Sequence, residues 1–78
     1  MRKFRSGLKD RGGVEIVAGD ICYDHEWHVF GVIKRNHRDK QFYFCERPES
    51  DTFSDLTISI SPLSEWKDGE LEIFSSID

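Results

Sequence analysis

The sequence predicts a small all-β protein, a closed or nearly closed barrel of five to six short strands with one brief helical turn. Three observations predict it. Apolar residues recur at every second position almost throughout, short turn clusters divide the runs, and no stretch keeps a helical period. The 78 residues allow a single domain, residues 1–78, with residues 1–5 as a basic N-terminal arm. Ten aromatic rings must supply much of the burial in so short a chain.

Val14 to Ala18 alternates and reads as a strand, and Gly19-Asp20 follows as a turn pair. Ile21 restarts the alternation. Trp27 to Lys34 is apolar on both parities, so it is expected to be central, with Gly31 marking a bulge or barrel corner. The polar connection Arg35 to Lys40 leads into the aromatic run Gln41 to Glu46, and the two runs are expected to pair as a hairpin. Pro48 to Asp55 is rich in Ser, Asp, Glu and Pro and reads as an exposed, mobile loop.

Leu56 to Ser61 gives the cleanest alternation, with Leu56, Ile58 and Ile60 expected inward and the hydroxyl residues outward. A single helical turn is expected after it, capped by Ser61, with Pro62 at its first position and Gly69 beyond its end. Glu70 to Phe74 closes the pattern, Leu71 and Ile73 inward and both glutamates outward. Closing such strands into a barrel would remove the exposed sheet edges.

Residues 7–21 read Gly7-Leu8-Lys9-Asp10-Arg11-Gly12-Gly13-Val14-Glu15-Ile16-Val17-Ala18-Gly19-Asp20-Ile21. This stretch resembles the hallmark G-L-K-D-x-x-G-x-E-I-x-x-G-D-I of the YopX-like phage and prophage proteins. Downstream, Gly31-Val32-Ile33 looks like that family's G-x-V strand, and Glu72 to Ile77 sits where its closing E-V-I-G-N-I strand is usual. The segment before G-L-K-D is shorter here than the family's, and Ser75-Ser76-Ile77-Asp78 replaces its asparagine-containing tail. The resemblance implies an SH3-like small barrel of phage or prophage origin with no catalytic residues to carry over. The hallmark positions themselves read as turns and a strand, which specify a fold and no chemistry.

Charge divides along the chain. Residues 1–45 carry 9 basic and 6 acidic side chains, whereas residues 46–78 carry 2 and 9. A two-signed surface and a charged partner or self-complementary contact follow if folding keeps the ends apart in space. No apolar run is long enough to span a membrane, and the start lacks the apolar core of a signal peptide, so the expected location is the cytoplasm, that of a bacterial host as the resemblance implies. Cys22 and Cys45 are too few for a disulfide framework and are expected as reduced thiols.

Chemistry-bearing groups are sparse. Cys22, His25 and His28 stand at a C-x-x-H-x-x-H spacing that Cys45 or His37 could extend to four zinc ligands, but no second ligand pair has the spacing of a knuckle. Either cysteine with a histidine and Asp24 would supply the groups for acyl transfer, yet nothing fixes a histidine against a thiol. Gly12-Gly13 precedes a strand and offers no helix N-terminus to a phosphate. The expectation is a non-enzymatic protein without metal or cofactor.

Function is therefore expected from binding, to a copy of itself or to a host protein. Trp27, Tyr43, Arg38 and Trp66 are the candidate contacts, because aromatics and arginines dominate interface energies, although a tryptophan is more often core than contact. The alternative is nucleic acid, bound by Lys34, Arg35, Arg38 and Lys40 beside strand aromatics such as Tyr43, Trp27 and Phe30. Net charge of -4 opposes that reading unless the positive groups share one face. Asp51, Asp55, Glu65, Asp68, Glu70 and Glu72 could offer the opposite, a negative face for a basic host protein, or serve as a solvated rim.

Overall fold

Alternation becomes strand over most of the chain, and β-branched and aromatic side chains supply the half-buried surface that strands need. The computed structural model describes residues 4–48 and 56–75. The strands are β1 (Arg5–Lys9), β2 (Glu15–Val17), β3 (Ile21–Asp24), β4 (Val29–Arg35), β5 (Phe42–Arg47), β6 (Ser59–Pro62) and β7 (Leu71–Ser75), and one 3₁₀ turn covers Leu63–Glu65. The protein is all-β. Among the described residues β1 and β2 form a two-stranded sheet, and the rest form a five-stranded antiparallel sheet in the order β6-β5-β4-β3-β7.

The core lies between the two sheets. Ile16 from β2 meets Cys22, Ile33, Phe44 and Leu71 from the large sheet and Leu63 from the 3₁₀ turn, with Leu8 of β1 packed at its border. Ile16, Ile33 and Leu71 are fully buried, each stabilising the fold by about 1.5–3 kcal/mol relative to an exposed side chain. As the sequence predicts, β4 is central, β4 and β5 form a hairpin, Leu71 faces inward and Glu72 outward. Both cysteines are free and buried.

The barrel does not close. On one flank the β1–β2 connection covers β7: Arg11 N donates to Leu71 O at 2.9 Å, Gly69 N to Lys9 O at 3.0 Å, and Ile73 N to Asp10 Oδ2 at 3.4 Å. On the other flank β6 is short and ends in Pro62, which lacks the N–H that an approaching strand would use. Among the described residues seven strands in two sheets thus replace the expected five or six in one barrel. The added strand is β1, whose residues Arg5–Lys9 contain one large apolar side chain and Gly7 at φ +82°, where the register with β2 shifts.

Three local expectations are corrected. Leu56, Ile58 and Ile60 are exposed, because the pairing of Ile60 with Cys45 and of Ser61 with Phe44 turns the hydroxyl side of β6 toward the interior. Ser61 belongs to β6, and the 3₁₀ turn starts at Leu63, with Pro62 as its N-cap rather than its first residue and no side-chain cap, closed by Trp66 N donating to Leu63 O at 3.0 Å. Gly31 makes no bulge, since its register runs unbroken on both sides; its missing side chain makes room for the Phe44 ring. Of the expected mobile loop, residues 49–55 lie outside the described residues, and Pro48 is half-buried.

Candidate binding surfaces

Successive strand residues point to opposite faces, so each face of the large sheet can be read from the register. Lys34 pairs with Tyr43 and Tyr43 with Pro62, while Val32 pairs with Cys45 and Cys45 with Ile60. These two rows stand on the face turned away from the core. With the β4–β5 turn they shape a groove of about 620 Å³ lined by Lys34, Arg35, His37, Arg38, Tyr43 and Ile60, among others.

The turn that carries Arg38 is tightly bonded. Asn36 N donates to Gln41 O at 2.9 Å and Lys40 N to Asn36 O at 2.7 Å; the Asn36 carboxamide oxygen accepts from Arg38 N at 2.8 Å, and Asp39 Oδ1 from Gln41 N at 2.9 Å. Lys40 completes the reversal at φ +62°. The Tyr43 hydroxyl donates to Asp39 Oδ2, which lowers the carboxylate below its ordinary pKa and raises the phenol above its own. The Arg35 guanidinium lies 4.3 Å from the centre of the Phe4 ring. The ion pairs among the described residues join Arg5 to Glu15 and His25 to Glu72, so no described carboxylate pairs with Lys34, Arg35, Arg38 or Lys40.

The core-side face ends in a second groove of about 320 Å³ near the β3–β4 turn, lined by Trp27, Trp66, Asp24, Glu46, Ser59 and Glu65 with Val29 and Phe44 beneath. Asp24, fully buried, organises it. Its Oδ1 accepts from Glu26 N at 2.9 Å and Trp27 N at 3.3 Å, and its Oδ2 accepts from Trp66 Nε1 at 3.0 Å. Trp66 is half-buried against Phe44, their centroids 4.9 Å apart, whereas Trp27 is 70% exposed.

The four expected protein contacts therefore do not share one patch. Tyr43 and Arg38 line the outer groove, and Trp27 and Trp66 line the inner one. Three of the four nucleic-acid candidates, Lys34, Arg35 and Arg38, come together in the outer groove; Lys40 is exposed on the adjoining turn and Phe30 stands at the other end of that face, against Tyr23 and Phe74. Of the acidic candidates only Glu65 lines a groove described above. Asp68 Oδ1 accepts from Lys9 N, Glu70 Oε1 from Lys67 N, and Glu72 Oε1 is 2.8 Å from His25 Nε2, while Asp51 and Asp55 lie outside the described residues. Glu46 was not singled out by sequence and Ile60 was expected inward, because only the register of β5 with β6 places them at the grooves.

The cysteine constellations do not assemble. Cys22 points into the core, where burial first and the Asp20 and Asp10 charges next push its thiol up to about 12. Burial likewise raises Cys45. His25 pairs with Glu72, and His28 Nδ1 is 3.0 Å from the Tyr23 hydroxyl. Among the described residues no group of three or more His, Cys, Asp or Glu could hold a metal ion, and no helix is long and apolar enough to cross a membrane.

Fold and grooves together define a small two-sheet all-β protein with basic side chains along the outer groove and carboxylates along the inner one. No protein-family model, curated protein or solved structure matches the chain.

Proposed function

We propose that this is a non-enzymatic accessory protein of phage or prophage origin that works by binding a protein with an acidic surface, either a host factor or a second copy of itself. One observation carries the reading: Lys34 and Arg38 line a single groove with an apolar floor, Arg35 stands at its border with its guanidinium over the Phe4 ring, and no carboxylate among the described residues pairs with them. In a chain of net charge -4, such a gathering concentrates the positive potential where a negative partner gains most from it. The likeness of residues 7–21 to the YopX-like hallmark supports the origin.

A second reading is single-stranded nucleic acid in the same groove, favoured by Tyr43 standing beside the three basic side chains. Against it, Tyr43 and the His37 imidazole are the aromatic rings that line that groove among the described residues, a short platform for successive bases.

Sedimentation or light scattering at tens of micromolar, together with capture from host lysate, tests the first reading. A mass above that of the monomer, or a captured acidic protein, is expected, either one reduced in Lys34→Ala/Arg38→Ala. A monomer that captures nothing overturns it. Retention of a labelled single-stranded oligonucleotide at low salt, lost in the same variant, transfers the groove to the second reading.

A further inference from the structure

We propose that the inner groove between Trp27 and Trp66 is a receptor for a cationic side chain, a guanidinium or primary ammonium group presented by a protein partner. It goes beyond the function proposed above, because the groove lies on the other face of the sheet and uses none of the same residues.

Four features point to that ligand. Two indoles border one cleft, and an indole offers the strongest aromatic attraction to a cation. Trp27 is 70% exposed, a large apolar surface left in water beside a recess, as at an unfilled contact. The carboxylates of Glu46 and Glu65 face the same recess without a cation paired to them among the described residues; Glu46 Oε1 accepts from Ser59 Oγ, at 3.2 Å. Aromatic faces alone would equally suit a neutral apolar or proline-rich ligand. The carboxylates select the positive one.

Preorganisation is the fourth feature. Asp24 uses one oxygen to hold the backbone at Trp27 and the other to hold the indole N–H of Trp66, and Phe44 supports the Trp66 ring from beneath. The ring that receives the cation is thus fixed before binding, and little side-chain freedom remains to be lost. Asp24 is a positioning residue: its two oxygens are occupied and its side chain is buried.

Titration of the whole chain with a short peptide alternating arginine and serine tests the proposal, followed by tryptophan fluorescence and the two indole N–H resonances. Saturable shifts of both resonances are expected, with binding at least about tenfold weaker for a peptide in which citrulline replaces arginine. Trp27→Ala is expected to weaken binding about fivefold without changing thermal unfolding, since that side chain is mostly in water. Glu46→Gln/Glu65→Gln weakens it further and removes its salt dependence.

Equal affinity for the citrulline or a neutral proline-rich peptide overturns the proposal, as does unchanged affinity in Trp27→Ala. Lys34→Ala/Arg38→Ala retains peptide binding, so failure of one groove is distinguishable from failure of the other. The source of the natural cation is read separately. Concentration-dependent shifts of the indole resonances without peptide, abolished by Arg38→Ala, identify a second copy; peptide binding without such shifts identifies another protein.

Discussion

At the scale of single residues, Gly31 and Phe44 illustrate a contact no periodicity encodes. A Cβ built on Gly31 would overlap the edge of the Phe44 ring, and that ring is pinned by Trp66 on its other side. Gly31→Val is therefore expected to cost about 2 kcal/mol despite valine's suitability for a central strand, measured by urea unfolding. Adding Phe44→Leu should return part of the loss. Cys22 gives a second expectation. Its ordinary pKa of 9.0 is raised to about 12 by burial and by Asp20 and Asp10, so the unfolded chain ionises first. The stability held by the neutral thiol is complete below pH 9 and falls as pH rises toward 12. Cys22→Ala should flatten that part of the stability curve, and a thiol reagent at pH 8 should leave Cys22 unmodified until the chain unfolds.

Asp10 shows at the scale of elements how a turn residue governs a distant strand. Its Oδ1 accepts from Gly12 N and Val14 N, each at 2.9 Å, closing the β1–β2 connection, while its Oδ2 reaches Ile73 N on β7. Asp10→Ala should cost about 1–2 kcal/mol and accelerate hydrogen exchange at Ile73 and Arg11 more than at β4 and β5 amides. Strands with a dense apolar code were legible in the sequence: the cores of β2 and β7 fall where alternation placed them, and those of β4 and β5 where the continuous apolar and aromatic runs did. β1 was not, since its pairing rests on Ser6 Oγ donating to Ile16 O at 2.5 Å and on the freedom of Gly7, neither of which raises apolar density. In β6 the alternation was real but its direction was reversed. Period two states that faces differ, and only register against β5 states which face is inside.

For the whole molecule, fold class was legible because half-buried strands impose a simple code, whereas closure was not, because it depends on which groups satisfy the outer flanks of β6 and β7. The candidate surfaces were half legible. Residue types implied a basic patch with an aromatic and a contact built on tryptophans, but their division between two faces of one sheet follows from Tyr43 and Cys45 pointing one way and Phe44 and Glu46 the other. Two grooves on opposite faces should behave independently: Trp27→Ala and Lys34→Ala are expected to be additive within about 0.5 kcal/mol in thermal unfolding.

The position of β3 between β4 and β7 bears on how the chain reaches this state. The β3–β4 and β4–β5 hairpins join neighbours in the chain, but Cys22 pairs with Ile73, 51 residues further along. A nascent chain still being translated therefore shows β3 with one bare ladder of amides and carbonyls until Leu71–Ser75 emerges, and that interval is when misassociation with neighbouring chains is easiest.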